Sequence, residues 1–319
     1  MTQPLALVFP GQGSQQIGML RELAERYSVV RTTFEEASSV LGYDLWHLVQ
    51  EGPEEELNAT ACTQPALLAA SVAVWRVWQE LEGPRPGAMA GHSLGEYSAM
   101  VCAGALTFPE GIRLVRLRGE AMQQAVPAGQ GAMAAILGLE DGVVERVCQD
   151  VATETGETVA AVNYNAPGQV VIAGSKSGVE RGIIACQDAG AKRAMSLPVS
   201  VPSHCALMRP AAERLDEAMN DIVLKSPRYT VFQNVDAKAH EDVDTLRQRL
   251  VEQLYQPVRW TECVQAMRGQ GVEVFVECGP GKVLTGLGKR IDRSLKGVAV
   301  NDPESLESAL TLARSVLVQ

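Results

Sequence analysis

The chain has 319 residues, 46% hydrophobic and 21% charged, with 28 Lys and Arg against 38 Asp and Glu for a formal net charge of −10. That length suits about two domains, or one large domain carrying an insert, and it excludes dependence on disulfide or metal staples for a core. The apolar fraction excludes a disordered or fibrous chain, and the acidic balance argues against a nucleic-acid partner. Seven cysteines, at 62, 102, 148, 186, 205, 263 and 278, include no C-x-x-C pair. Four histidines, at 47, 92, 204 and 240, have no zinc-ligand spacing, so neither a disulfide framework nor a metal site is expected. The cysteines read as small buried hydrophobes in a reducing compartment. The start, Met1 to Pro10, has no basic region before an apolar stretch. No segment reaches the ~18 apolar residues of a membrane span, so a cytoplasmic protein with no membrane partner is expected.

Taken in chain order, Leu5 to Phe9 reads as a short buried strand that stops at Pro10-Gly11-Gln12-Gly13-Ser14. Helical periodicity runs from Met19 to about Val49, and a longer helix follows Thr63-Gln64-Pro65, with Thr63 as its expected N-cap. A small-residue strand (Ala88 to Gly91), a sharp turn at His92-Ser93 and a helix from Leu94 to about Cys102 come next. Another helix starts near Thr107 and reaches Val126. From about Pro127 the pattern is strand 132–137, helix 140–154, strands 159–163 and 169–173, helix 177–189 and strand 193–199. This β-α-β-β-α-β order is ferredoxin-like and reads as an insert. Helix 208–222, strand 229–233, helices 243–254 and 260–269 and strand 272–277 resume the earlier alternation, which predicts a mostly parallel sheet covered by helices.

Gly91-His92-Ser93-Leu94-Gly95 is a G-x-S-x-G between a predicted strand and a predicted helix. In that context the serine sits on a strained turn with its hydroxyl exposed, and the helix N-terminus offers N–H groups to a developing oxyanion. A structural turn serine is the alternative. The hydroxyl needs a base. His204, in Val201-Pro202-Ser203-His204-Cys205, lies in a loop just after the insert, whereas His92 should point away from the serine. His47 and His240 sit in polar surroundings. An orienting Asp in the order Ser…Asp…His would have to come from between 93 and 204, where most acids fall in the insert, so a dyad oriented by a backbone carbonyl stands beside the triad. Gly11-Gln12-Gly13-Ser14-Gln15 fails as a dinucleotide fingerprint because Gln16 occupies the third glycine position. It remains a turn able to present backbone N–H groups. Gly279-Pro280-Gly281-Lys282 fails as a P-loop and reads as a turn. Arg118 lies on a helix, where a solvated face is the ordinary reading; its planar fork is also suited to a carboxylate.

These residues carry a resemblance along essentially the whole chain. Val8–Gln15, Thr63–Ala66, Gly91–Glu96, Gly131–Ala134, Asn165–Gln169, Val199–His204, Gln253–Val258 and Glu277–Gly281 stand in the order and form of the bacterial malonyl-CoA:acyl carrier protein transacylase family, which the chain resembles. The resemblance implies an α/β fold with a large hydrolase-like subdomain, expected over 1–127 and 200–319, and a ferredoxin-like small subdomain over 128–199. It implies ping-pong malonyl transfer from malonyl-CoA to acyl carrier protein for fatty-acid synthesis, with no metal or redox cofactor. Ser93 would be acylated and His204 would be its base. The Gln12 and Leu94 N–H groups would form the oxyanion hole, the Gln253 main-chain carbonyl would orient His204, and Arg118 would hold the malonyl carboxylate. Gln256 and Arg259 depart from the family pattern at non-catalytic places. A serine esterase would share the turn but would not need Arg118. A malonate-activating subunit or a polyketide acyltransferase module would share nearly every motif, and a non-catalytic carrier-binding module would need neither serine nor base.

An evenly acidic enzyme would repel both coenzyme A and an acidic carrier protein. Lys282, Lys289, Arg290, Arg293 and Lys296 oppose only Asp292 between 282 and 296, and Lys192-Arg193 form a second cluster. These runs read either as solvated faces or as a carrier-protein docking patch centred on Lys289 and Arg290.

Overall fold

The computed structural model describes residues 3–199 and 201–317. Ser200, where the second part of the large subdomain was expected to begin, lies outside the described residues. β1 (Leu5–Phe9) is buried at every position, as a strand covered on both faces must be. The helical stretch predicted from Met19 divides into α1 (Arg21–Arg26), α2 (Ser28–Leu41) and α3 (Leu45–Glu51). The breaks fall where Tyr27 is extended and where Gly42 closes α2 in the left-handed region. A short α4 (Glu54–Leu57) precedes α5 (Thr60–Glu80).

Here the expected cap is wrong. α5 begins at Thr60, and Thr63 lies inside it, donating its hydroxyl to the carbonyls of Leu57 (2.6 Å) and Ala59 (3.1 Å). The free Ala61 N–H at the helix start is met by Gln123 Oε1 at 2.9 Å, from a different helix. A cap supplied across the fold leaves no local signature. β2 (Ala88–Gly91), α6 (Leu94–Cys102) and α7 (Phe108–Ala125) follow as predicted, α7 opening on a Thr107–Glu110 capping box.

The next unit is a separate sheet. β3 (Gly131–Leu137), α8 (Asp141–Thr155), β4 (Val159–Ala166), β5 (Gln169–Ser175), α9 (Lys176–Asp188) and β6 (Arg193–Ser196) give the order β4-β5-β3-β6, antiparallel at every pairing. That is the ferredoxin-like arrangement anticipated from the element order. Its two helices cover one face through Val144, Cys148, Val179 and Cys186. The strand predicted to run to Val199 stops at Ser196, because Pro198 has no N–H for the ladder and Val199 N–H turns back to the Leu197 carbonyl (2.8 Å).

The chain then returns to the first sheet through α10 (Arg209–Ala218), β7 (Thr230–Phe232), α11 (Val243–Glu252), α12 (Trp260–Gly269) and β8 (Val274–Cys278). It ends in α13 (Val283–Ile291), β9 (Lys296–Val300) and α14 (Pro303–Ser315), of which the last strand and helix carried no expectation. The order is β7-β2-β1-β8-β9, parallel throughout, so all five carboxyl ends lie on one edge. Ligands of open parallel sheets bind at that edge, where the strand order reverses. Here the reversal is at β1, between β2 and β8. The two sheets are pinned by main-chain bonds from Tyr164 N–H to the Val258 carbonyl (2.9 Å) and from Val258 N–H to the Val162 carbonyl (2.8 Å). Met133, Val162, Val171 and Ala173, on the helix-free face of the small sheet, pack against Cys205. Among the described residues no helix is long and apolar enough to cross a membrane.

Candidate active site

Ser93 sits between β2 and α6 with φ 53° and ψ −111°, a conformation that costs a non-glycine residue about 1–3 kcal/mol. The flanking glycines make this turn possible by close approach. A Cβ on Gly91 would lie 1.9 Å from the Gly95 carbonyl, and one on Gly95 would lie 2.0 Å from the Phe9 carbonyl oxygen. Asn234, just beyond β7, braces the turn from both sides. Its Oδ1 accepts from Ser93 N–H (2.8 Å) and its Nδ2 donates to the Gly91 carbonyl (2.8 Å).

His204 also has a positive φ, 65°, and its N–H is held by the Leu254 carbonyl at 3.0 Å. Its Nε2 lies 2.8 Å from Ser93 Oγ, and its Nδ1 lies 2.6 Å from the Gln253 main-chain oxygen. A carbonyl only accepts, so Nδ1 carries the proton and Nε2 accepts from the serine hydroxyl. Of the two partners left open for the histidine, an Asp or a backbone carbonyl, the group that its Nδ1 meets is a backbone carbonyl. Burial, and next the Arg118 charge, push His204 down from 6.5 to about 3, so it is neutral over the physiological range. His92 turns its Nε2 to Asn165 Oδ1 (2.7 Å) on the small sheet, as its place on the turn suggested. His240 bonds Asp236 (2.8 Å), and His47 is exposed.

Arg118 is not on a solvated face: it is 1% exposed. Its Nη1 donates to Gln64 Oε1 (2.9 Å) and its Nη2 to Gln253 Oε1 (2.9 Å) and, at 3.3 Å, to Ser93 Oγ. The guanidinium stands over the Tyr97 ring, 5.2 Å from its centroid, and Nε has no partner. Every acceptor around this buried cation is therefore neutral, an arrangement that leaves room for an anion.

The turn after β1 packs directly on the serine turn, since a Cβ on Gly11 would lie 2.5 Å from the His92 carbonyl oxygen. Gln12 and Leu94 line the same cleft as Ser93, and Leu94, the first residue of α6, has an N–H with no acceptor one turn earlier in the helix. The cleft, about 330 Å³, runs between the two sheets and is closed on the far side by Met133, Asn163, Leu197 and Val199. None of the basic side chains from 282 to 296 lines it. Gly279-Pro280-Gly281 is a turn, as expected, and Glu277 accepts from the Leu284 and Thr285 N–H groups (3.1 and 2.8 Å) at the start of α13.

Three polar residues at the site had no individual expectation: Gln64, Asn234 and Glu96. Glu96 is fully buried on α6, and burial raises it from 4.5 to about 7 against the pull of hydrogen bonds from Asn234, Gln253 and Gln233. Its signal was present: one acid in the otherwise uncharged helix Leu94–Cys102. Gln64 likewise stands in a helix buried nearly all round.

Comparison with known proteins shows the family and the fold. The acyl transferase domain family matches residues 6–311. A malonyl CoA-acyl carrier protein transacylase of Salmonella typhimurium is 57% identical over 311 residues, covering 98% of this chain and 100% of the relative. The Bacillus subtilis protein of the same description is 47% identical over 306 residues, 96% of each chain. An acyl carrier protein S-malonyltransferase structure from Vibrio cholerae has 60% identity and a TM-score of 0.94, covering 96% of this chain and 99% of that one. A structure of a type II PKS acyl-carrier protein in complex with its malonyl-transacylase gives 58% identity and a TM-score of 0.95, covering 97% and 100%. The chain belongs to the acyl transferase domain family, among the malonyl CoA-acyl carrier protein transacylases.

Proposed function

We propose that the protein transfers the malonyl group of malonyl-CoA to the phosphopantetheine thiol of acyl carrier protein, supplying malonyl units for fatty-acid synthesis in the cytoplasm. The observation that carries this reading is a buried arginine, hydrogen-bonded to no carboxylate, 3.3 Å from a serine hydroxyl that is itself 2.8 Å from a neutral histidine. An esterase has no use for that cation.

Ser93 Oγ attacks the thioester carbon while His204 Nε2 takes its proton. The carbonyl oxygen becomes an oxyanion, held by the Gln12 and Leu94 N–H groups. The C–S bond breaks, His204 returns the proton to the departing coenzyme A sulfur, and malonyl-Ser93 remains. The phosphopantetheine thiol then gives its proton to His204 and attacks the ester carbon, and the proton passes back to Ser93 Oγ as it leaves. The Gln253 carbonyl holds the imidazole in one tautomer through both steps. Arg118 pairs with the free malonyl carboxylate, which selects malonyl over acetyl.

We assign 1–127 and 200–319 to the catalytic subdomain and 128–199 to the subdomain that walls the cleft. Carrier-protein docking is assigned to Lys289 and Arg290, both exposed. Arg290 Nη1 donates to Gln169 Oε1 (2.6 Å), and Gln169 pairs with Leu137, which pairs in turn with Arg193. Two basic clusters far apart in sequence thus share one side of the molecule.

Intact-mass analysis after brief exposure to malonyl-CoA tests the first half-reaction. One malonyl adduct mapping to Ser93, absent from Ser93→Ala and discharged by holo carrier protein, is the expected result. An adduct elsewhere, or one discharged only to water, defeats the proposal.

A further inference from the structure

The malonyl-transfer reading leaves one buried acid at the site without a role. Glu96 Oε2 accepts from Asn234 N–H (2.8 Å) and Gln253 Nε2 (2.9 Å), and Oε1 accepts from Gln233 Nε2 (3.1 Å). All three donors are neutral, so the carboxylate is held by hydrogen bonds and not by an ion pair. Burying a carboxylate in this way costs free energy that an apolar side chain would avoid.

Two of those donors control the two halves of the site. Asn234 straps the serine turn through its bonds to Ser93 N–H and the Gly91 carbonyl. Gln253 presents its main-chain oxygen to His204 and its side-chain Oε1 to Arg118. Its Nε2 faces Glu96 and the Ser93 carbonyl (3.0 Å), which leaves Oε1 as the face turned to the guanidinium. A rotated amide would set N–H against N–H at Arg118.

Resting on the malonyl-transfer reading, we infer that Glu96 is a positioning residue whose carboxylate oxygens hold Gln253 and Asn234, and through them set Arg118, His204 and the serine turn. It touches no reacting atom. Its effect is on the angle at which the carboxylate-binding arginine and the serine–histidine pair meet one substrate, so its loss damages malonyl selection along with rate.

Two conservative variants separate this from a role in charge or in packing. Glu96→Gln keeps the side-chain length. Its amide oxygen can accept from Asn234 and Gln253, and only the bond from Gln233 Nε2 is given up, a donor that keeps the Leu246 carbonyl as its other partner (3.2 Å). Glu96→Asp keeps the charge and withdraws both oxygens by one methylene. Malonylation of Ser93 and the preference for malonyl-CoA over acetyl-CoA are measured by time-resolved intact mass, with thermal melting alongside. Glu96→Gln is expected within about threefold of wild type, and Glu96→Asp about 100-fold slower with about a tenfold loss of preference, the scale of an ångström-level misplacement. The reverse order overturns the inference in favour of a charge role. Equal damage in both variants, or a shifted melting temperature with the preference intact, also overturns it. A wild type that forms no malonyl adduct overturns the functional reading itself, which distinguishes the two failures.

Discussion

Among the described residues, every polar side chain hydrogen-bonded to Ser93 or His204 comes from the parallel sheet and its connections: Arg118 from α7, Asn234 after β7 and Gln253 after α11. The antiparallel sheet and the segment that leaves its last strand contribute mostly apolar wall, Met133, Leu197 and Val199 among it, and the sheet makes one contact to the neighbouring turn, Asn165 to His92. Strand direction explains the division. Parallel strands deliver all their carboxyl ends, and the helix N-termini that follow them, to one edge. Antiparallel strands alternate and gather no such edge, so the small sheet can offer only a face. Polar groups are thereby concentrated at one sheet, and the second shapes the space in front of it.

Breaking the parallel edge should have the largest effect. Gly95→Ala sets a methyl against the Phe9 carbonyl oxygen, and is expected to cost about 3 kcal/mol in urea unfolding and to abolish detectable Ser93 acylation. Normal acylation by that variant would mean that the turn is far softer than its contacts imply. Next comes Arg118→Ala. It should slow malonylation about 100-fold or more and erase most of the preference over acetyl-CoA, the scale of losing one partner of a buried charge contact. Unchanged discrimination would remove Arg118 from substrate selection.

Titration sharpens the same edge. With His204 near 3, the rate of malonylation at saturating malonyl-CoA should stay flat from about pH 8 to about pH 5 in Glu96→Gln, where the other group titrating in this range is gone, and an acidic limb centred near 6.5 in that variant would contradict the buried neutral histidine. The stability consequence has a definite sign. His204 is depressed on folding, so its contribution is full above 6.5 and is lost as pH falls towards 3. Glu96 is raised, so its contribution is full below 4.5 and is lost as pH rises through about 7. The stability of wild type relative to His204→Gln should therefore shrink on acidification below 6.5, measured by denaturant unfolding across pH.

Changes away from that edge should do less. Charge reversal at Lys289 and Arg290 should raise the KM for carrier protein about threefold to tenfold and leave acylation by malonyl-CoA unchanged, with the difference fading at high salt. An equal effect on both half-reactions would place docking elsewhere. Asn165→Ala removes the bond to His92 and should cost about 1 kcal/mol in stability, with little change in rate. A large loss of activity there would show that the small sheet does more than wall the cleft.

The serine turn was legible because its signal is local. Five adjacent residues contain the glycines that the close approaches require, and a strand and a helix flank them. The βαββαβ order was legible for a similar reason, since element order alone specifies that sheet. The orientation of His204 was not, because its partner is a main-chain carbonyl, a group every residue carries. The start of α5 was misjudged because Gln123, from α7, supplies what a local cap would have supplied. Gln64 and Glu96 were visible as polar interruptions of apolar helices, yet nothing local said what they would face.

By itself, then, the sequence determined the strained serine turn, the two-sheet plan and the family, since each depends on neighbours in the chain or on motifs in a given order. Tertiary structure alone decided that Arg118 is buried among neutral oxygens and that Glu96 ties Asn234 to Gln253. Helical periodicity states which residues share a face. What covers that face depends on segments as distant as 64, 118 and 253, and only packing brings those together.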